Sequence, residues 1–273
     1  MYERHIREIL FFGEEEMTFR IFCGLLLPFV GTLAGCGCVF FMRDRMSERI
    51  KSILLGFAGG VMTAASVWSL LIPAMEHSKA MGRAAFLPAT VGFLLGVGFL
   101  LALEWAMPRF GSGNGSNKRK LSRTGKLVLA VGLHNVPEGM AVGAVFAGLL
   151  SGNTGITSAG AIGLAAGIAI QNIPEGAIVS MPLKTEGRGK LYSFSAGVLS
   201  GVVEPIGAFV TLYAVSMLLP VLPYLLGFAA GAMIYVVIND LVPEMSNGDY
   251  PKLGAAMFAI GFSTMMMLDV ALG

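Results

Sequence analysis

The sequence predicts an all-α membrane protein of eight transmembrane helices, on three observations. Of its 273 residues, 55% are hydrophobic and only 13% charged, against about 25% charged in an ordinary soluble domain. Eight apolar runs reach the length of about 20 residues that a helix needs to cross a bilayer. Glycine, at 37 residues, recurs at the small-xxx-small spacing that lets membrane helices approach closely.

The first run, 18–41, holds all three cysteines, Cys23, Cys36 and Cys38, in or beside it. An odd count without a CxxC pair gives no disulfide framework and no zinc-finger spacing. The second, 51–75, ends before Glu76. The third, 85–107, carries Gly92 and Gly96. The fourth, 125–150, contains HNVPEGMAVG from His134, and the fifth, 157–182, contains QNIPEGAIVS from Gln171 together with Gly163 and Gly167. The sixth, 191–217, has Gly197, Gly201 and the sequence Glu204-Pro205-x-Gly207. The seventh, 221–245, has Gly227 and Gly231, and the eighth is 252–272. These form one domain, 18–273, preceded by a segment 1–17 that lacks the basic, apolar and small-residue succession of a signal peptide.

Basic residues set the orientation. With the N-terminus outside, only Arg4, Arg7, Arg20, Lys79 and Arg83 of the 19 basic residues fall on the outer side. The long hydrophilic break 111–126, GSGNGSNKRKLSRTGK, then lies in the cytoplasm beside anionic lipid. Both termini are expected outside the cytoplasm, in the cytoplasmic (inner) membrane. The formal charge of +2 is a topology signal and points to no nucleic acid.

Ionisable side chains at membrane depth are costly and usually mark an ion or proton path. His134, Glu138, Glu175 and Glu204 fall inside three of the apolar runs. On a helix, residues three and four apart share a face. Glu138 thus lies between His134 and Asn135, and Glu175 between Gln171 and Asn172. Because a carboxylate has two oxygens, the spacing can build two adjacent cation sites that share Glu138 and Glu175. One is on the His134/Gln171 side and the other on the Asn135/Asn172 side, with Glu204 adding a third acid. Pro137 and Pro174 each remove a helical hydrogen bond, which frees the carbonyls of Leu133 and Ile170 beside the ligands. One imidazole with carboxylates and amides suits borderline to hard divalent ions such as Zn²⁺, Fe²⁺ and Mn²⁺. The expected cargo is a divalent cation, with no other cofactor.

HNVPEG followed by QNIPEG on the fourth and fifth of eight helices resembles the ZIP (Zrt/Irt-like) family of divalent-metal transporters, its bacterial branch above all. The similarity extends through GFAGGVMTAASVWSLLIPAME, SGVVEPIGA, AAGAMIYVVINDLVPE and the ending MLDVALG. The resemblance implies zinc uptake into the cytoplasm through a binuclear centre, by a homodimer whose metal-bearing helices move as an elevator. It implies a transport site of His134, Glu138, Gln171 and Glu175 with Met62, and a second site of Asn135, Asn172 and Glu204 bridged by Glu138 and Glu175. Ser69, Glu76, Asn239, Asp240 and Asp269 become pathway candidates, Glu76 at the outer entrance and Asn239 and Asp240 near the inner exit. Asn172 stands where relatives often have Asp, and the 111–126 loop has no histidine.

Two other readings compete. An intramembrane metalloprotease needs HExxH, and none occurs in the chain. A channel, or a carrier for Fe, Mn or Cd, would use the same residues, and flux that saturates separates carrier from channel.

Overall fold

The computed structural model describes residues 14–41, 46–111, 123–152, 156–185, 187–217 and 219–272, and no strand occurs among them. Most of the expected outer segment and of the 111–126 loop lies outside the described residues. Helix α1 is Glu14–Phe41. Helix α2, Glu48–His77, contains a wide π turn at Ser66–Leu71. Then come α3, Phe86–Gly111, α4, Arg123–Leu150, and α5, Ser158–Thr185. Helix α6 has two parts, Lys190–Gly201 and Val203–Met217, joined through Val202. Helix α7, Leu222–Ser246, has a second π turn at Val237–Leu241, and α8 is Pro251–Leu272.

Among the described residues, seven helices are long and apolar enough to cross a membrane: α1 to α3 and α5 to α8. Helix α4 runs for 28 residues and carries His134, Asn135 and Glu138. Local chemistry sets the boundaries. Ser47 caps α2, its hydroxyl accepting from Ile50 N at 3.3 Å. Helix α5 stops at Gly187, whose φ of 85° suits the left-handed C-terminal turn. There Gly187 N donates to Lys184 O and Arg188 N to Leu183 O.

The helices pack chiefly in four pairs: α1 with α5, α2 with α8, α3 with α7, and α4 with the second half of α6. Glycine permits each. A Cβ on Gly31 would strike the Ala169 carbonyl, one on Gly60 that of Phe258, one on Gly96 that of Phe228, and one on Gly139 that of Glu204. Backbones this close gain dispersion contacts, which is what drives helix association in lipid.

Helices α2 and α7 share a design. GFAGGVM at 56–62 corresponds to GFAAGAM at 227–233, and each is followed by a π turn and a proline, Pro73 or Pro243. The proline lacks the N–H that would bond Ser69 O or Asn239 O four residues back, so the helix widens there. The π turns hold Ser69 in α2 and Asn239 and Asp240 in α7. By contrast α4 and α5 run helically through Pro137 and Pro174. Helix α6 loses a helical hydrogen bond at the Gly201 carbonyl, which Pro205 leaves without its donor, while Val202 keeps a helical backbone and still donates to Val198 O.

Candidate metal centre

Helices α4 and α5 lie against one another and bring the two motifs together. Glu138 and Gln171 are fully buried, and Gln171 Nε2 donates to Glu138 Oε1 at 2.9 Å. This bond crosses between helices and joins the two motifs. Glu138 Oε2 and Gln171 Oε1 are buried and have no hydrogen-bond partner. Buried acceptors are nearly always satisfied, so two orphaned oxygens from adjacent ligand residues mark a place suited to a cation. His134, on the same face of α4, is one-fifth exposed, and Glu175 is half-buried on α5. Met62 is buried on α2, a helix that packs on α5.

Asn135, Asn172 and Glu204 form a second, tighter group, all fully buried. Glu204 Oε1 accepts from Thr32 Oγ1 at 2.6 Å and from Asn135 Nδ2 at 3.0 Å. Its Oε2 accepts from Asn172 Nδ2 at 2.9 Å. The same amide nitrogens also reach backbone, Asn135 to Ser200 O at 3.2 Å and Asn172 to Pro28 O at 3.4 Å. Four helices, α1, α4, α5 and α6, meet in this one network. Thr32 is a member that sequence reading missed. Its one signal is its place four residues after Pro28, on the same face of α1.

Beyond His134 lies a third group. The ligand atoms of Glu104, His134 and Asp240 all lie within 4.8 Å of one another, with His134 Nε2 3.5 Å from Asp240 Oδ2. Glu104 is held by Tyr235 Oη, which donates at 2.7 Å, and by Asn239 Nδ2 at 2.8 Å. Asn239 also donates to Asp240 Oδ1 at 3.1 Å. Sequence reading did not select Glu104, although it is the sole charge inside the run 85–107 and falls under the same rule that selected Glu138.

The remaining candidates sit apart. Ser69 Oγ contacts both oxygens of Asp269, at 2.8 and 2.7 Å, joining α2 to α8. The pair lines a cavity of about 190 Å³ with Trp68, Val145, Ile156 and Thr157. Glu76 lies at the end of α2 with Lys79 Nζ at 3.2 Å. Such an exposed pair contributes little to stability.

Residues 122–269 match the family model described as ZIP zinc transporter. The chain is 36% identical to Zinc transporter ZIP11 of Xenopus tropicalis, over 92% of this chain and 96% of the relative. It is 33% identical to Zinc transporter GufA of Myxococcus xanthus, over 89% of this chain and 96% of that one. It is 35% identical to Zinc transporter ZIPB of Bordetella bronchiseptica, over 90% of this chain and 79% of the relative. These are transporters and not enzymes, and the apolar helices are those of a multi-pass membrane protein. With a family match over more than half its length and relatives matched nearly end to end, the chain belongs to the ZIP family.

Proposed function

We propose that the chain carries divalent cations, zinc foremost, across the cytoplasmic membrane into the cell. The cation is held by His134, Glu138, Gln171 and Glu175, with Met62 beside them. The supporting observation is the pair of buried, unpartnered oxygens, Glu138 Oε2 and Gln171 Oε1, on ligand residues already joined by a 2.9 Å hydrogen bond. A cation bound there would satisfy both and offset the burial of Glu138. The names of the relatives make zinc the first cargo to test, and the mixed nitrogen and oxygen donors also accommodate Fe²⁺, Mn²⁺ or Cd²⁺.

All eight helices, α4 included, cross the bilayer in this reading. Both termini are outside and 111–126 is inside, which the excess of basic residues in the inner loops supports. The cation enters past Glu76 and the Ser69/Asp269 cavity. It leaves towards Glu104, Asn239 and Asp240, with His134 within reach of both the transport site and this exit group. Two copies pair in the membrane, as the family resemblance implies.

Purified protein in liposomes that contain a zinc-sensing dye tests the reading. Zinc influx that saturates with concentration is the expected result, and flux no greater than in protein-free liposomes would overturn it. Linear flux to high concentration would make the protein a channel.

A further inference from the structure

Resting on the transport reading above, we infer that Asn135, Asn172, Glu204 and Thr32 form a hydrogen-bonded hub that takes the place of a second cation. The chain then carries one cation at a time.

The orientation of the two amides carries the argument. Asn135 Nδ2 faces Ser200 O and Glu204 Oε1, at 3.2 and 3.0 Å. Asn172 Nδ2 faces Pro28 O and Glu204 Oε2, at 3.4 and 2.9 Å. Backbone carbonyls and carboxylates only accept, so each amide must present its NH₂ end to this pair of acceptors. Turning either amide would set its oxygen against two others. An amide binds a divalent cation through oxygen, and neither amide oxygen faces Glu204. Asn135 Oδ1 points away and is buried without a partner. Asn172 Oδ1 has only a 3.5 Å contact from Gln171 Nε2.

Glu204 is satisfied without a cation. Three donors, one at 2.6 Å from Thr32, are what a buried carboxylate needs in place of a counterion. A second cation would have to displace these donors while the anionic groups facing it would be Glu204 and the carboxylates already serving the first cation. Aspartate at position 172 would reverse this. It has no N–H to give Glu204, and two carboxylates facing one another are relieved by a bound cation. Asn172 is thus the residue that sets the number of ions.

Zinc bound per protomer, measured by elemental analysis of the purified full chain in lipid nanodiscs after dialysis against zinc, tests the inference. The expected values are one for the parent chain and two for Asn172→Asp. Glu204→Gln should keep one zinc while its thermal midpoint falls, because its NH₂ would replace one of the two accepting oxygens and meet the NH₂ of the asparagine that faces it. Two zinc ions in the parent would overturn the inference and leave the transport reading standing. So would a single ion in Asn172→Asp, or loss of the ion from Glu204→Gln. No zinc in a folded parent would instead overturn the transport site itself.

Discussion

Glu138 and Glu204 are both fully buried carboxylates, but their surroundings assign them different work. Glu204 has three protein donors. Glu138 accepts from Gln171 at one oxygen and keeps the other without a hydrogen-bond partner. Glu138→Ala or Glu175→Ala should therefore abolish zinc uptake in cells at matched surface expression, and near-normal uptake by either variant would contradict the site. Protons should compete with zinc, since a ligating imidazole must be neutral and a carboxylate ionised. Metal binding is then strongest at higher pH and weakens as pH falls through the range where an imidazole protonates, about 6.5 for a free one. Acidification should raise the half-saturating zinc concentration before it lowers the maximal rate. His134→Gln should flatten the upper part of that dependence, and stimulation of uptake by acid would refute competition. The motif residues were legible in the sequence because their relation is local, at three and four positions. Thr32 was not, because its partner is 172 positions away, and a threonine in an apolar helix announces nothing until that partner is in place.

The helices themselves were read closely. The expected 18–41, 157–182 and 252–272 correspond to Thr18–Phe41, Ser158–Lys184 and Pro251–Leu272, because hydropathy alone fixes where a bilayer segment must start and stop. The internal irregularities were less legible. Proline marks every candidate position, but α4 and α5 run through theirs, whereas α2 and α7 widen and α6 only loses a hydrogen bond. Neighbouring helices decide which outcome each proline has, and a single sequence does not state its neighbours. Glycine spacing was the better guide. Gly96 lies under the Phe228 carbonyl, whereas Gly98 on the same helix has open space around it. Gly96→Val should destabilise the protein by about 1–3 kcal/mol, the cost of overpacking a close contact. Gly98→Ala should instead stabilise α3 by up to about 1 kcal/mol through helix propensity. Thermal unfolding in detergent checks both, and equal effects would mean that α3 and α7 do not pack as closely as described.

On the scale of the molecule, the pairings sort the helices into two sets. Helices α1, α4, α5 and α6 share the Glu204 network and carry the proposed transport ligands other than Met62. Helices α2, α3, α7 and α8 pair among themselves through α2 with α8 and α3 with α7. The candidate entrance and exit groups bring the second set to the metal helices: the Ser69/Asp269 cavity meets Val145 and Ile156, and Glu104 and Asp240 meet His134. In the proposed transport, a cation held in the first set would be exposed to one side or the other by sliding that set past the second, an arrangement that needs a rigid interior and a movable boundary. Disulfides separate the two. A Cβ on Gly163 of α5 would stand 3.8 Å from Leu272 Cβ on α8, a separation a disulfide spans without distortion, and this pair crosses the boundary. A Cβ on Gly197 of α6 would stand 3.5 Å from Cys36 Cβ on α1, and that pair lies inside the first set. Oxidising a chain that carries Gly163→Cys and Leu272→Cys should stop zinc uptake, and reduction should restore it. Oxidising Gly197→Cys against the native Cys36 should leave uptake unchanged. Uptake that survives the boundary disulfide would show that the cation passes without the two sets moving apart, and the protein would then conduct as a channel does.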